Sequence, residues 1–335
     1  GDIHSLSDDD VDAMIAAGKR QKSYFYTLLG GEPMMYTGIW DVLQRHRDCY
    51  FQIITNGMFF TEENVARLRE AGNATPLVSI DGMAENNDQR RGEGVFESAV
   101  EGLGRLKKAK ILFGVATTVT GKNMEEVLSD RYVEEIIARG AMYLWYYVFR
   151  PVGPEPSPEL CVGREKMIEL RKRLLELRRQ HAIILIDTYW NARGEAVCPA
   201  AAGLGFHIGP RGSIEPCPPL SFACESIGQN DGDLFKTIDE SRFLRGFQEF
   251  VRQRTFRPIR SLVLFGEGHA KAVLQVAQGV DHFIQPAGVE NFVIEVVGVT
   301  VVAKVQTKNI ETTRIQAGAV GQHVVGIDAA LPAVQ

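Results

Sequence analysis

Residues 24–33 read YFYTLLGGEP, and this stretch predicts how the chain folds. The aromatic and apolar run from Tyr24 to Leu29 predicts a buried strand. The strand ends on two glycines, where a backbone without Cβ atoms can lie close to a ligand. Glu32 then places a carboxylate at the strand end, and Pro33 stiffens the exit. This arrangement suits a small cationic or amine ligand, and an ordinary strand-to-helix turn has the same pattern.

The rest of the first 190 residues alternates between apolar strands and helices in units of about 25–35 residues, which implies parallel strands with right-handed crossovers. We predict an α/β fold in the form of a parallel partial (β/α)6 barrel. An open doubly wound sheet is an alternative that fits the same pattern. The further predicted strands are Tyr50–Thr55, Pro76–Ile80, Ile111–Val119, Met142–Phe149 and Ala182–Ile186. The predicted helices cover 8–19, 39–47, 61–72, 94–108, 123–139 and 164–180, and residues 85–94 are predicted as a polar loop.

Polar residues and glycines follow several of these strands in turn. Because the carboxyl ends of parallel strands meet at one edge, ligands bind there in barrels and in open sheets. We therefore expect one site at that edge. Its residues are found in Gly30-Gly31-Glu32, Thr55-Asn56-Gly57, Ser79-Ile80-Asp81-Gly82, Thr117-Thr118 and Arg150-Pro151.

Composition narrows the classes of function. The 335 residues are 45% hydrophobic and 24% charged, which is ordinary for a globular protein. A net charge of -5 gives no reason to expect a nucleic acid or an anionic membrane as partner. No apolar run is long enough to span a bilayer. The chain opens with GDIH and no signal peptide, so a fragment or a processed end is expected. Five unevenly placed cysteines indicate a reducing, cytoplasmic compartment.

The ordered motifs resemble the radical S-adenosylmethionine (radical SAM) superfamily over roughly residues 5–255. The series is Gly30-Gly31-Glu32-Pro33, Thr55-Asn56-Gly57, Ser79-Ile80-Asp81-Gly82 and Arg90-Arg91-Gly92, followed by the helix start at Gly94-Val95-Phe96. Residues 117–123 and 141–152 continue it. Each motif alone is weak, and the specificity lies in their order and spacing.

The resemblance implies a role for each matching position. Glu32 and the backbone of Gly30, Gly31 and Pro33 would hold the methionine amino group of SAM. Asn56 belongs to the same edge. Ser79, Asp81 and Thr117 would lie near the ribose and methionine portion, and each hydroxyl could equally be a satisfied strand-end group. Arg91 would pair with the SAM carboxylate, and backbone from Tyr147 to Phe149 would lie beside adenine.

The superfamily's Cys-x3-Cys-x2-Cys motif, which ligates a [4Fe-4S] cluster, does not occur in this sequence. It would stand just before the helix that begins here at Asp8, so we expect the chain to start after it. Cys49, the first cysteine, lies on a different element. Without three thiolates a cluster cannot offer an open iron to SAM, and the chain as written is expected to be inactive in reductive cleavage.

A second candidate site follows near Cys198, where strands 206–208 and 213–215 predict a β-hairpin around Arg211-Gly212. The spacing of Cys198, Gly212 and Cys217 resembles the SPASM or twitch extension, which carries an auxiliary [4Fe-4S] cluster in many radical SAM maturases. Cys198, Cys217 and Cys224 are the candidate ligands. Zinc, with His207 as a fourth ligand, and three unrelated thiols are the alternatives, although His207 is expected to be packed or to face substrate.

Three functional hypotheses remain open. The resemblance implies an iron–sulfur enzyme that cleaves SAM to a 5′-deoxyadenosyl radical. That enzyme would modify a peptide or small molecule, with flavodoxin or ferredoxin as electron donor. A barrel that only binds a nucleoside or peptide, with structural zinc, is the second hypothesis. A metal-free lyase is the third, although no strand end carries a Schiff-base lysine.

The expected regions are 1–190 for the barrel and 191–255 for the auxiliary site. Residues 256–335 form an unassigned Val/Gly-rich tail, β-forming from Phe292 to Val305.

Overall fold

The computed structural model describes residues 6–152, 156–187, 198–203, 205–255 and 295–297. The strands are β1 (Phe25–Leu29), β2 (Tyr50–Thr55), β3 (Ala74–Ser79), β4 (Gly114–Val119), β5 (Tyr143–Val148), β6 (Ile184–Ile186), β7 (His207–Ile208), β8 (Ser213–Glu215), β9 (Glu225–Ser226) and β10 (Glu295–Val297). The helices are α1 (Asp8–Arg20), α2 (Ile39–Arg45), α3 (Glu62–Ala71), α4 (Ala84–Arg91), α5 (Val95–Lys108), α6 (Met124–Val127), α7 (Asp130–Ala138), α8 (Arg164–Gln180), α9 (Pro199–Ala202), α10 (Leu234–Glu240) and α11 (Arg242–Thr255). Short 3-10 helices cover Pro33–Met35, Pro158–Leu160 and Asn230–Gly232.

The described strands form one sheet in the order β6-β5-β4-β3-β2-β1-β10-β7-β8-β9. The pairings from β6 to β7 are parallel, and only β7–β8 and β8–β9 are antiparallel. The predicted α/β class with six parallel strands is therefore confirmed. Strands β1 to β6 follow one another in chain order without the reversal of a doubly wound sheet, and the described sheet has two ends, at β6 and β9, so it fits a partial barrel.

In β1 to β5, one face of each strand packs against the helices and the other lies on the inner side of the sheet. Tyr26, Phe51, Val115 and Tyr146 are buried in the main core, which the helices cover. Leu77, Ala116, Tyr143 and Trp145 form a separate cluster, and we call it the inner-face cluster. The division follows from the two-residue period of a strand, because successive side chains point to opposite faces. The inner face is therefore available to frame a ligand.

Local signals place most helix ends where they were expected. Ser7 caps α1 in a capping box with Asp10, and Thr61 caps α3 through the Asn64 amide. The predicted helix 123–139 is instead two helices, α6 and α7. Ser129 interrupts it, because its extended backbone and its hydroxyl, which accepts from the Tyr132 amide, start a new helix.

The predicted loop 85–94 is wrong over most of its length, because α4 occupies Ala84–Arg91. Asn87 is the buried side chain of this helix, so α4 lacks the apolar stripe by which helices are recognised. Its first turn is held instead by Glu126 of α6. The Glu126 carboxylate accepts from the Met83 amide at 2.8 Å and from the Asn86 amide group at 2.9 Å.

The predicted hairpin is confirmed as β7 and β8, with His207 opposite Glu215. This region continues the barrel sheet, since β10 lies between β1 and β7. Strand β10 falls within the β-forming stretch predicted at 292–305. The other residues of 256–335, and the proposed boundary near residue 190, lie outside the described residues. The three-part division therefore stays a prediction.

Candidate functional site

The ends of β1 and β2 are joined by the side chain of Glu32. Its Oε1 atom accepts from the Thr55 hydroxyl at 2.7 Å and from the Met34 amide at 3.0 Å. Its Oε2 atom accepts from the Asn56 amide at 2.7 Å. The side chain is half-buried. Since a carboxylate offers about four acceptor positions, three contacts leave capacity for one further donor.

The two glycines and the proline give this edge its shape. Gly30 and Gly31 are exposed, and a Cβ at Gly31 would meet no atom within 4 Å, so the space above the backbone is open. Pro33 is buried and begins the 3-10 helix that Glu32 caps. Together they leave an accessible strand end beside a fixed carboxylate.

Asn56 belongs to a tight turn that follows β2. Its side-chain oxygen accepts from the Met58 amide at 2.9 Å, and the next residue, Gly57, has a φ of +83°. A Cβ at Gly57 would lie 2.7 Å from the Val78 Cγ1 atom, so glycine is required for both conformation and space. The turn brings the Asn56 amide to Glu32.

Asp81 is fully buried after β3 and is surrounded by donors. Its Oδ2 atom accepts from Arg90 and, at 2.6 Å, from the Arg91 Nε atom, while its Oδ1 atom accepts from the Thr118 amide at 2.6 Å. A buried carboxylate needs such pairing, because removing a charge from water is costly. This geometry assigns Asp81 to holding Arg91 and the β4 end. Its predicted place near the ribose and methionine portion of SAM stays a prediction.

Thr117 lies at the expected edge, but its side chain points toward the helices. Its hydroxyl is fully buried, donates to the Ile80 carbonyl at 2.8 Å, and lies 2.7 Å from the Tyr132 hydroxyl of α7. The Thr117 hydroxyl is therefore turned away from the inner face that carries Ser79, and its predicted place near the ribose and methionine portion of SAM stays a prediction. The satisfied strand-end hydroxyl that the sequence also allowed is what the structure shows.

Ser79 lies on the inner face at the end of β3. It is half-buried, and no hydrogen bond from its hydroxyl is found within the described part of the chain. Strand register aligns Ser79 with Ala116 of β4, and Ala116 with Trp145 of β5. Phe149 follows β5, half-buried, and its amide donates to the Val119 carbonyl at 2.8 Å. These positions fit an inner-face site.

Several residues support the site through contacts that the sequence did not indicate. Thr55 supports Glu32, the Thr118 amide supports Asp81, and Asn123 donates to the Asp81 carbonyl at 2.8 Å. Asn87 accepts from the Asp81 amide at 3.0 Å. Strand alternation could have separated Thr118 from Thr117. The contact of Asn123 joins residues 42 positions apart and leaves no local signal, and the contact of Asn87 depends on helix α4, which was predicted as a loop.

The predicted grouping of three thiols is not found. Cys198 and Cys217 are half-buried and border one small core of Ala200, Ala201, Leu220, Phe247 and Val251, where α9 packs against α11. Cys224 is exposed and outside that core. Across the described ranges, no three His, Cys, Asp or Glu side chains are grouped to hold a metal ion. Cys224 lies seven positions after Cys217, and β9 begins directly after it.

Burial disfavours the thiolate form of two of the cysteines. Burial raises the pKa of the Cys198 thiol, and burial raises that of Cys49 to about 12. None of the five cysteines forms a disulfide. Metal binding at Cys198 would therefore have to release a proton.

His207 packs in the hairpin, as expected, and not beside the thiols. It is buried, and its Nδ1 atom lies 2.7 Å from the Glu215 Oε2 atom on the partner strand. The other Glu215 oxygen accepts from the Ser213 hydroxyl at 2.7 Å. The contact between His207 and Glu215 joins β7 to β8, and Ser213 fixes the Glu215 carboxylate within β8.

Comparison with known proteins agrees with this arrangement. The sequence profile of the Radical SAM superfamily matches residues 1–130. The resemblance stated from the motifs is confirmed by this match. The chain is 34% identical over 145 residues to the AdoMet-dependent heme synthase of Methanosarcina barkeri, covering 42% of this chain and 42% of that protein. It is 28% identical to the sporulation killing factor maturation protein SkfB of Bacillus subtilis, covering 57% of this chain and 48% of SkfB.

The fold is shared with solved structures. Streptococcus suis SuiB, in a crystal structure bound to S-adenosylmethionine, superposes with a TM-score of 0.61 at 15% identity, covering 83% of this chain and 69% of SuiB. At this identity the likeness shows the fold alone. Within the described ranges, no helix combines the length and apolarity needed to cross a membrane.

Proposed function

We propose that the edge formed by β1, β2 and β3 binds S-adenosylmethionine in a radical SAM enzyme. The observation that carries the proposal is Glu32. Its carboxylate is fixed at an open strand end by neutral donors, and it retains acceptor capacity for the SAM ammonium group. The superfamily match over residues 1–130, which includes this edge, supports the proposal.

The residues around Glu32 fit the rest of the amino acid moiety. Gly31 leaves open space beside the carboxylate. Arg91 is about three-quarters buried and is oriented by Asp81 through its Nε atom. Its terminal nitrogens would bind the SAM carboxylate, because a guanidinium is suited to bidentate pairing. Ser79 would contact the ribose, and the backbone near Phe149 would lie beside adenine.

S-adenosylmethionine supplies the carbon–sulfur bond whose reductive cleavage is the chemistry of the superfamily. A [4Fe-4S] cluster does not fit the described residues, because they contain no group of three suitable ligands. We therefore assign no step of the reaction to a cluster in this structure. The contribution of this chain is to bind, orient and shield the cofactor.

The substrate in this proposal is a peptide or a small molecule. SkfB is a maturation protein, and the heme synthase is named for a small-molecule product. The inner-face cluster of Leu77, Ala116, Tyr143 and Trp145 would line the apolar part of the substrate chamber. A reducing, cytoplasmic location with flavodoxin or ferredoxin as electron donor belongs to the same proposal, and five cysteines without a disulfide support it.

Calorimetric titration tests the binding step directly. We expect the chain to bind S-adenosylmethionine and S-adenosylhomocysteine. We also expect methionine alone and adenosine alone to compete with S-adenosylmethionine for the site. Competition by both fragments would locate the two halves of the ligand on one site. Absence of any binding at millimolar ligand would contradict the proposal.

A further inference from the structure

We propose that Trp145 binds the nucleoside part of S-adenosylmethionine by donating its indole N–H. The inference rests on the proposed function and adds a residue to which the superfamily resemblance gave no role. Trp145 is 6% exposed, and its Nε1 atom is buried without a hydrogen-bond partner in the part of the chain that the structure describes. An unmet buried donor is uncommon, because it has lost its bond to water and gained none.

Strand register places Trp145 in a row with Ser79. Ser79 of β3 aligns with Ala116 of β4, and Ala116 aligns with Trp145 of β5. Aligned residues of parallel neighbours point to the same face, so all three belong to the inner face. Two strand spacings, about 9.6 Å in total, separate the backbones of Ser79 and Trp145. That span is comparable with the size of a nucleoside.

The side chains in this row suit a ligand that carries hydrogen-bond acceptors. Ala116 is small, so it leaves the centre of the row free of bulky groups. The Ser79 hydroxyl has no hydrogen bond within the described residues, and the indole nitrogen can only donate. Ring nitrogens and ribose oxygens of a nucleoside are matching acceptors. The carboxylate of Glu32 follows β1, which lies two strands from β3, and it suits the ammonium end instead.

Tyr147 holds the indole ring in place. The two rings are stacked, with centroids 5.3 Å apart and planes at 10°. Tyr147 also lies on β5, two residues further along the same face. A donor on a ring restrained in this way loses little further freedom when it binds a ligand.

The test replaces Trp145 by Phe, which removes the N–H and keeps an aromatic ring. Adenosine, S-adenosylhomocysteine and methionine are titrated into wild type and W145F. We expect the dissociation constants for adenosine and S-adenosylhomocysteine to rise about three- to tenfold, which is the effect of one neutral hydrogen bond. The constant for methionine should not change. W40F is the control, because Trp40 lies in the main core beneath the Arg67 guanidinium, at 4.7 Å.

Each outcome separates the inference from the proposed function. Unchanged adenosine affinity in W145F, with normal binding by wild type, overturns the role of Trp145 alone. An equal loss for adenosine and methionine, together with a lower Tm, shows general disruption and also overturns it. Failure of wild type to bind any of the three ligands overturns the proposed function and this inference together. A selective loss for the two nucleosides, absent in W40F, supports it.

Discussion

The ends of β1 and β3 each carry a carboxylate, and the two carboxylates have different surroundings. Glu32 is half-buried and accepts from two backbone amides and one hydroxyl. Asp81 is fully buried and accepts from two guanidinium groups and one amide. The first retains acceptor capacity toward an open edge. The second is neutralised by the protein itself.

The difference shows that a carboxylate at a strand end has two possible uses. Neutral donors orient Glu32 without cancelling its charge, so the charge stays available to a cationic ligand. Two arginines cancel the charge of Asp81, and in return Asp81 fixes the arginines. Position along the strand predicts that both residues lie at the site edge. The donors around each residue decide which one meets the ligand.

The largest effect is expected for Asp81→Ala. The substitution leaves two partly buried guanidinium groups without their partner, and breaking a buried ion pair costs about 3–5 kcal/mol. Urea unfolding of wild type and variant measures the loss. E85A, at an exposed position of the adjacent α4, is the control and should stay within about 0.5 kcal/mol of wild type. A loss below about 1 kcal/mol would show that solvent replaces Asp81 easily.

Glu32→Gln is expected to affect stability and binding together. The amide NH2 would face either the Asn56 amide or the Met34 amide, so one backbone donor loses its acceptor, at about 1–3 kcal/mol. Loss of the negative charge should weaken S-adenosylmethionine binding about tenfold to a hundredfold. Thermal unfolding and calorimetry measure the two effects. Equal affinity in a folded E32Q variant would count against Glu32 as the ammonium ligand.

Thr117→Val tests whether a hydroxyl on the helix side acts on the ligand. The valine keeps the shape and loses two buried hydrogen bonds, so we expect a loss of about 1 kcal/mol in unfolding free energy. Affinity for S-adenosylmethionine should not change. T117S keeps the hydroxyl and should keep its hydrogen bonds to the Ile80 carbonyl and Tyr132. A selective loss of affinity in T117V would restore Thr117 as a ligand contact.

The smallest effect is expected for Asp88, a carboxylate near the surface. The Asn87 amide group, then the backbone amide of Phe96, lower the pKa of Asp88 below its ordinary value of 3.8. A carboxyl group whose pKa is lowered in the folded state adds stability when the pH is above its ordinary pKa. This added stability is lost as the pH falls through the folded pKa. D88N should therefore lose less stability than wild type between pH 4 and about pH 2. Parallel acid-unfolding curves would contradict this.

Sequence reasoning succeeded where one residue pattern determines one element. Strand β2 was predicted with its observed bounds, because the apolar run Tyr50–Thr55 stops at Asn56-Gly57. Helix α8 was also predicted as observed, at 164–180. Strand β1 differs by one residue, since Tyr24 is exposed before the ladder begins. The site edge could be predicted from these strands, because parallel strands place their carboxyl ends at the same edge of the sheet.

The prediction failed where contacts join distant elements. Helix α4 has no apolar stripe, and its first turn depends on Glu126, about forty residues later. Trp145 was part of a strand that was predicted correctly, but its missing partner is a property of the assembled inner face. The spacing of Cys198, Cys217 and Cys224 gives their order along the chain, whereas a metal site requires their distance in space.

The carboxylate of Glu32 gives this edge a built-in reporter. The amide protons of Met34 and Asn56 are held by a side chain rather than by the sheet ladder. Their exchange with deuterium therefore follows the motion of one side chain, while exchange of the ladder amides follows opening of the strands. A ligand ammonium that restrains Glu32 would slow exchange at these two amides first. Hydrogen exchange resolved to single residues can thus detect occupancy of the edge before any other part of the protein changes.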